Sequence, residues 1–194
     1  RASEYDDEAD SLIRELAGQT TVVAIGETGL DYFRDFSPRP AQCSSFEQQI
    51  QIAIETRLPF FLHQRDAHDD FVSILKTYRD HLSEVVVHCF TGSKSELYEY
   101  LDLDCHIGIT GWICDERRGT HMKEYMHDIP SDRVMIETDS PYLKPRNLRP
   151  KIKSHRNEPR LLPWILGTLA ACRDEHPQAL AEATTRNARA FFRL

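Results

Sequence analysis

Short runs of Val, Ile, Leu and Phe alternate along the chain with longer stretches in which apolar residues return every three or four positions. Thr21 to Gly26, Pro59 to Leu62, Val85 to Val87, His106 to Ile109 and Arg133 to Ile136 are short, largely apolar runs. At this length they predict strands buried on both faces, as parallel strands are. Between them, Phe46, Ile50, Ile54 and Leu58 recur every four residues, while Phe71, Leu75, Tyr78 and Leu82 mix steps of three and four. Each set lays one apolar face along a helix. Ser93 with Glu96 is a capping-box signature for a helix that buries Leu97, Tyr100 and Leu101. Met122, Tyr125, Met126 and Ile129 predict another helix. Leu161, Leu162, Ile165, Leu166 and Leu169 predict a further one, and the last ends near Phe191 and Phe192. Arg1 to Asp10 reads as mid-protein sequence entering a helix, so upstream sequence is expected.

Alternating strands and helices require right-handed crossovers and a parallel sheet, either open or closed into a barrel. Consecutive strand ends, taken as Glu27, His63, His88, Thr110 and Asp139, lie 36, 25, 22 and 29 residues apart. A TIM-like (β/α)8 barrel of about 250 residues spends about 30 on each unit, so the spacing suits a barrel. Five units are visible. Residues 1–194 are therefore expected to form a single barrel domain holding the C-terminal five βα units, with the first three strands absent from this chain.

Composition narrows the class. Apolar residues make up 40% of the chain and charged residues 28%, close to the ordinary globular mix, so neither disorder nor a membrane protein is suggested. No apolar run approaches the roughly 20 residues that span a bilayer, and no basic segment followed by an apolar stretch marks a signal peptide in this sequence. The five cysteines are odd in number, widely spaced and contain no C-x-x-C pair, which fits a reducing, cytoplasmic setting. A net charge of −7 excludes a protein that coats DNA by bulk electrostatics, so any nucleic-acid contact must be local.

The residues at the ends of the apolar runs carry the chemistry: Glu27, His63, His88 and Asp139. In a parallel barrel all strand C-termini share one face, so these four side chains would converge there. Two imidazoles with two carboxylates suit Zn²⁺, Mn²⁺ or, less strongly, Mg²⁺. A lone His after an apolar run is more often a hydrogen-bonded core residue, but four such coincidences are hard to explain by packing, since buried carboxylates need partners. Lys144, Arg146, Arg149, Lys151, Lys153 and Arg156 crowd the segment after Asp139. Alone, such a cluster is a solvated loop; beside the mouth it is a phosphate site, because guanidinium groups grip phosphate bidentately. Arg65, Arg117 and Arg118 are further candidates, and Trp112, Tyr32 and Tyr142 offer rings either for stacking on bases or for capping the core.

Gly26-Glu27-Thr28-Gly29-Leu30-Asp31-Tyr32 resembles the G-E-x-G-L-D segment of the TatD family of metal-dependent deoxyribonucleases, and Pro59 to Ala67 is similar to its P-x-x-x-H-x-R-x-A segment. Val87-His88-Cys89-Phe90-Thr91-Gly92 and Ile136 to Leu143 resemble its two later signatures. Gly108 to Gly119, Pro145-Arg146-Asn147 and Arg156-Asn157-Glu158-Pro159 resemble the bacterial members in particular. The likeness spans roughly Ala17 to Leu194.

It implies an amidohydrolase-like barrel and a cytoplasmic, divalent-metal-dependent nuclease hydrolysing DNA, preferring single strands from the 3′ end, with RNA a further substrate and a monomeric state expected. By position it assigns Glu27, His63, His88 and Asp139 to the metal, with Glu27 and Asp139 catalytic and Asp139 the proton acceptor. Arg65, Arg117, Arg146, Asn147 and Arg156 are the expected substrate contacts. Nothing before Glu27 matches the H-x-H motif with which many members open, which leaves one or two ions open. Two alternatives stand beside this reading: a hydrolase of another small ester or amide on the same barrel, and a nucleic-acid-binding fragment without catalysis.

Overall fold

The structure, a computed structural model, describes residues 1–194. It divides into two compact units. The first comprises Arg1–His88, Asp102–Cys105 and Phe191–Leu194; the second comprises Cys89–Leu101 and His106–Ala190.

In the first unit, α1 (Asp7–Ala17) starts at Asp6, whose carboxylate accepts the Ala9 N–H, a standard N-cap. Three strands follow, β1 (Ile25–Asp31), β2 (Phe60–Arg65) and β3 (Val85–Val87), with β1 parallel to β2 and β2 parallel to β3. The crossovers are the helices α2 (Arg39–Thr56) and α3 (His68–Tyr78). Phe46 of α2 stacks on Phe60 of β2 at 6.0 Å and on Phe71 of α3 at 5.3 Å, so one aromatic column ties both crossovers to the sheet. Ile50, Ala53, Leu62 and Leu75 fill the space around it.

β1 differs from its sequence reading. The apolar stretch before Ile25 makes no ladder, and the strand instead carries Glu27 and Asp31 within it. Two glycines explain the shift. Gly26 and Gly29 have φ of +144° and +143°, and a Cβ at either would lie 2.4 Å from the Phe61 oxygen or 1.9 Å from the His63 oxygen. Only bare backbone lets β1 approach β2 this closely. His63 likewise lies inside β2 rather than at its end, and Leu58 falls outside α2, which stops at Thr56 with Arg57 in the left-handed region.

In the second unit, α4 (Lys94–Asp102) opens with the expected capping box: the Ser93 N–H donates to Glu96 and the Glu96 N–H donates to Ser93 Oγ at 3.3 Å. Leu97 and Tyr100 are buried. β4 (His106–Ile109) and β5 (Val134–Ile136) pair in parallel, Ile107 opposite Val134. The stretch read as a helix between them is two 3-10 turns, His121–Glu124 and Met126–Asp128, because Tyr125 at φ −134° breaks the ladder after one turn. Met122, Met126 and Ile129 are buried all the same. The helices α5 (Leu162–Arg173) and α6 (Pro177–Phe192) follow. Buried Arg173 donates to the carbonyls of Met126 and Ile129, and Asn187 to those of Ser131 and Val134, so side chains from both helices hold the approach to β5. No helix is long and apolar enough to cross a membrane.

Candidate metal centre

Gly29 of β1 pairs with His63 of β2. Glu27 and Asp31 stand two residues to either side of Gly29, Glu27 within the irregular stretch of the ladder between Ile25 and Thr28. A Cβ at position 29 would meet the His63 backbone, so the bare residue lets the two strands close up, and the two carboxylates bracket the imidazole. Glu27 Oε1 lies 3.0 Å from His63 Nδ1, and Asp31 Oδ2 lies 3.2 Å from His63 Nε2. His88, the residue after β3, is 7% exposed, donates its backbone N–H to the Leu62 carbonyl and packs its ring 5.1 Å from Phe61 and 6.4 Å from His63.

Glu27, His63 and His88 each offer a ligand atom within 4.8 Å of the others. The hydrogen bond from His63 holds the Glu27 carboxyl below its usual range; burial opposes this, and the charges of His88, His63 and Arg34 reinforce it. Glu27 is thus anionic at neutral pH, the state a metal ligand needs. Two imidazole nitrogens and one carboxylate oxygen form a donor set that divalent cations of borderline softness take, so these residues fit such an ion.

Asp139 and Glu137 both lie in the second unit and beyond β5, which ends at Ile136. Asp139 is half-buried, and its carbonyl accepts the Tyr142 N–H at 2.6 Å. Glu137 is built into the fold: Oε1 accepts the Cys89 N–H at 2.6 Å, and the same oxygen would lie 2.3 Å from a Cβ at Gly108.

The expected substrate residues divide in the same way. Arg117 makes a two-pronged bond to buried Asp115, Nε to Oδ1 at 3.1 Å and Nη2 to Oδ2 at 2.9 Å. Arg118 and Arg146 reach the same carboxylate at 3.4 and 3.7 Å, and Arg146 binds Glu116 at 2.8 Å. Asn147 donates to Thr168 at 2.8 Å, Arg65 covers the Phe33 ring at 3.9 Å, and Arg156 is exposed. Lys144 donates to the carbonyls of Ile152 and Ser154, closing the basic loop on itself. Of the three candidate stacking rings, Trp112 lies under Arg118 and Tyr32 under Arg39, while Tyr142 is 69% exposed. Two carboxylates, Asp31 and Asp115, were not among the expected site residues, although Asp31 lies four residues after Glu27 in the Gly-Leu-Asp segment and Asp115 lies two residues before Arg117.

Parallel strands joined by helices, with a carboxylate and two imidazoles gathered from two strands and the residue after a third, define the class of α/β proteins built around a divalent-metal centre. The family described as TatD related DNase matches residues 1–193, and the chain belongs to that family. A Rahnella protein named 3′-5′ ssDNA/RNA exonuclease TatD is 50% identical over 194 residues, covering 100% of this chain and 74% of its own. The protein of the same name from Salmonella typhimurium is 47% identical over 193 residues, covering 100% and 74%. Among solved structures, YjjV, a TatD homologue from Escherichia coli K12, matches with a TM-score of 0.88 at 25% identity, over 99% of this chain and 73% of that one. A hydrolase TatD family protein from Entamoeba histolytica matches with a TM-score of 0.81 at 27% identity, over 97% and 68%. These likenesses bear out the expected TIM-like, amidohydrolase-type α/β fold.

Proposed function

We propose that the protein is a divalent-metal-dependent nuclease that hydrolyses DNA phosphodiester bonds, working as a 3′-5′ exonuclease on single strands and also accepting RNA. The observation that carries this is the gathering of Glu27, His63 and His88 within 4.8 Å in a chain of the TatD related DNase family. Those three residues hold the cation, with Asp139 as a further ligand and as the base that takes the proton of the attacking water. Bound there, a divalent ion supplies Lewis acidity toward the phosphoryl oxygen and a more acidic water. Anionic Glu27 provides the negative charge that fixes a cation, and the burial of His88 keeps one side of the centre dry. The two imidazoles favour Zn²⁺ or Mn²⁺ over Mg²⁺.

Arg65, Arg117, Arg146, Asn147 and Arg156 hold the strand backbone. Arg117 and Arg146 exchange a carboxylate for a phosphate when they do so, an exchange between equivalent bidentate partners. Residues 1–194 supply the C-terminal five βα units of a single barrel domain, and the protein acts as a monomer. The five cysteines are widely spaced and form no C-x-x-C pair, which supports a reducing, cytoplasmic setting.

Single-stranded DNA and RNA carrying a 5′ label, incubated with and without a chelator, test the proposal. Stepwise shortening from the 3′ end, lost on chelation and restored by added Mn²⁺ or Zn²⁺, is the expected result. Degradation indifferent to chelation, or hydrolysis of small esters with intact oligonucleotides, would overturn it.

A further inference from the structure

We infer that Asp31 is a positioning residue that holds His63 by its Nε2 and so makes Nδ1 the nitrogen offered to the cation. The inference rests on the metal reading above. A neutral imidazole carries one N–H, so one ring nitrogen donates while the other is left with a lone pair. In this structure the two nitrogens of His63 face different carboxylates. Nδ1, which donates to Glu27 here, belongs with Glu27 and His88 in the convergent set, where a bound cation would take the place of that proton; Nε2 faces Asp31, which lies outside the set, and would keep its N–H. A carboxylate behind a ligand histidine accepts its second N–H, fixes the tautomer and orients the ring.

Asp31 is itself held rigidly enough for this work. Its N–H donates to Gln42 Oε1 at 2.9 Å and its carbonyl accepts from Gln42 Nε2 at 3.3 Å. Gln42 is buried and is pinned in turn to the Ser37 carbonyl at 2.9 Å. Oδ1 accepts the Arg34 N–H at 2.8 Å and closes the turn after β1, whereas Oδ2 meets His63 Nε2 at 3.2 Å and has the Arg34 Nε at 3.7 Å. Closing the turn needs Oδ1 and leaves the shorter of the two Oδ2 contacts to His63.

That division selects the experiment. Asp31→Asn keeps an oxygen for the Arg34 N–H and leaves both backbone bonds to Gln42 in place, but it sets an amide where Oδ2 meets His63. Zn²⁺ is titrated calorimetrically into the metal-free wild type and variant, and the melting temperature of each metal-free protein is recorded. Loss of such a partner typically weakens metal binding about 10–100-fold, and we expect that loss with little change in the metal-free melt. A ¹H–¹⁵N correlation spectrum of the zinc-loaded wild type gives an independent reading, with His63 protonated at Nε2 and unprotonated at Nδ1. Unchanged zinc affinity in the variant, or a wild-type His63 protonated at Nδ1, overturns the role of Asp31 alone. A wild type that takes up no metal overturns the metal reading and this inference with it. Should the variant fail to fold, the wild-type spectrum still decides.

Discussion

Glu137 and Asp139 are two residues apart and face different demands. The Glu137 carboxylate is committed to the Cys89 amide, immediately after His88, where the backbone has φ of +49°. Removing it in Glu137→Ala strands that amide and costs about 1–3 kcal/mol, readable as a lower melting temperature. Asp139→Asn should instead leave the melt alone and reduce kcat about 10²–10⁴-fold with little effect on DNA binding, the usual contribution of a positioned base. Near-normal turnover in that variant would move the base elsewhere, and lost metal with lost turnover would make Asp139 mainly a ligand. Asp115 offers a test by pH. Its carboxyl is held well below the ordinary carboxylate range, chiefly by the bonds from Arg117. Because its pKa is depressed on folding, its contribution is full above the unfolded value and lost as pH falls through the folded one. Asp115→Asn should therefore lower stability at neutral pH and flatten its fall in acid, as melting temperatures across the acid range would reveal. Replacing Arg146, Arg149 and Lys151 by Ala should raise KM and reduce its salt dependence, since fewer phosphates are neutralised. An unchanged KM and salt slope would return these residues to a structural role.

Among the elements, those built on apolar runs alone were the most legible in the sequence. Val85–Val87 and His106–Ile109 are strands with the bounds that their composition suggested, and Ser93 with Glu96 does cap α4. What escaped has physical causes. β1 holds its place through glycine backbone, not through the side chains of Thr21 to Ala24, and hydropathy does not register a positive φ. The apolar spacing of Met122 to Ile129 matches its burial but not its geometry, since 3-10 turns broken at Tyr125 present nearly the same face as a helix. Gly29→Ala tests the account of β1 directly. A Cβ 1.9 Å from the His63 oxygen must push β1 and β2 apart. Overpacking of this kind typically costs about 1–3 kcal/mol, and the strain of φ +143° adds to it, so both stability and metal affinity should fall. A variant with unchanged melting and metal binding would show that the close approach is not needed.

Across the whole molecule, 24 basic residues stand against 31 acidic ones, so a polyanion gains little from the general field and must be held locally. That places the weight of the account on the metal centre. Glu27, His63 and His88 could be read from the sequence because each follows an apolar run closely, and the structure draws them together. Asp31 could not, because its role comes from the β1–β2 register, which composition does not reveal. The most direct measurement is the anomalous scattering of crystals of the protein grown with Mn²⁺ or Zn²⁺, recorded on either side of the metal's absorption edge. The account predicts a peak bounded by Glu27, His63 Nδ1 and His88. Crystals of a chelator-sensitive, active preparation with the metal peak elsewhere, or with His63 turned to present Nε2, would contradict it.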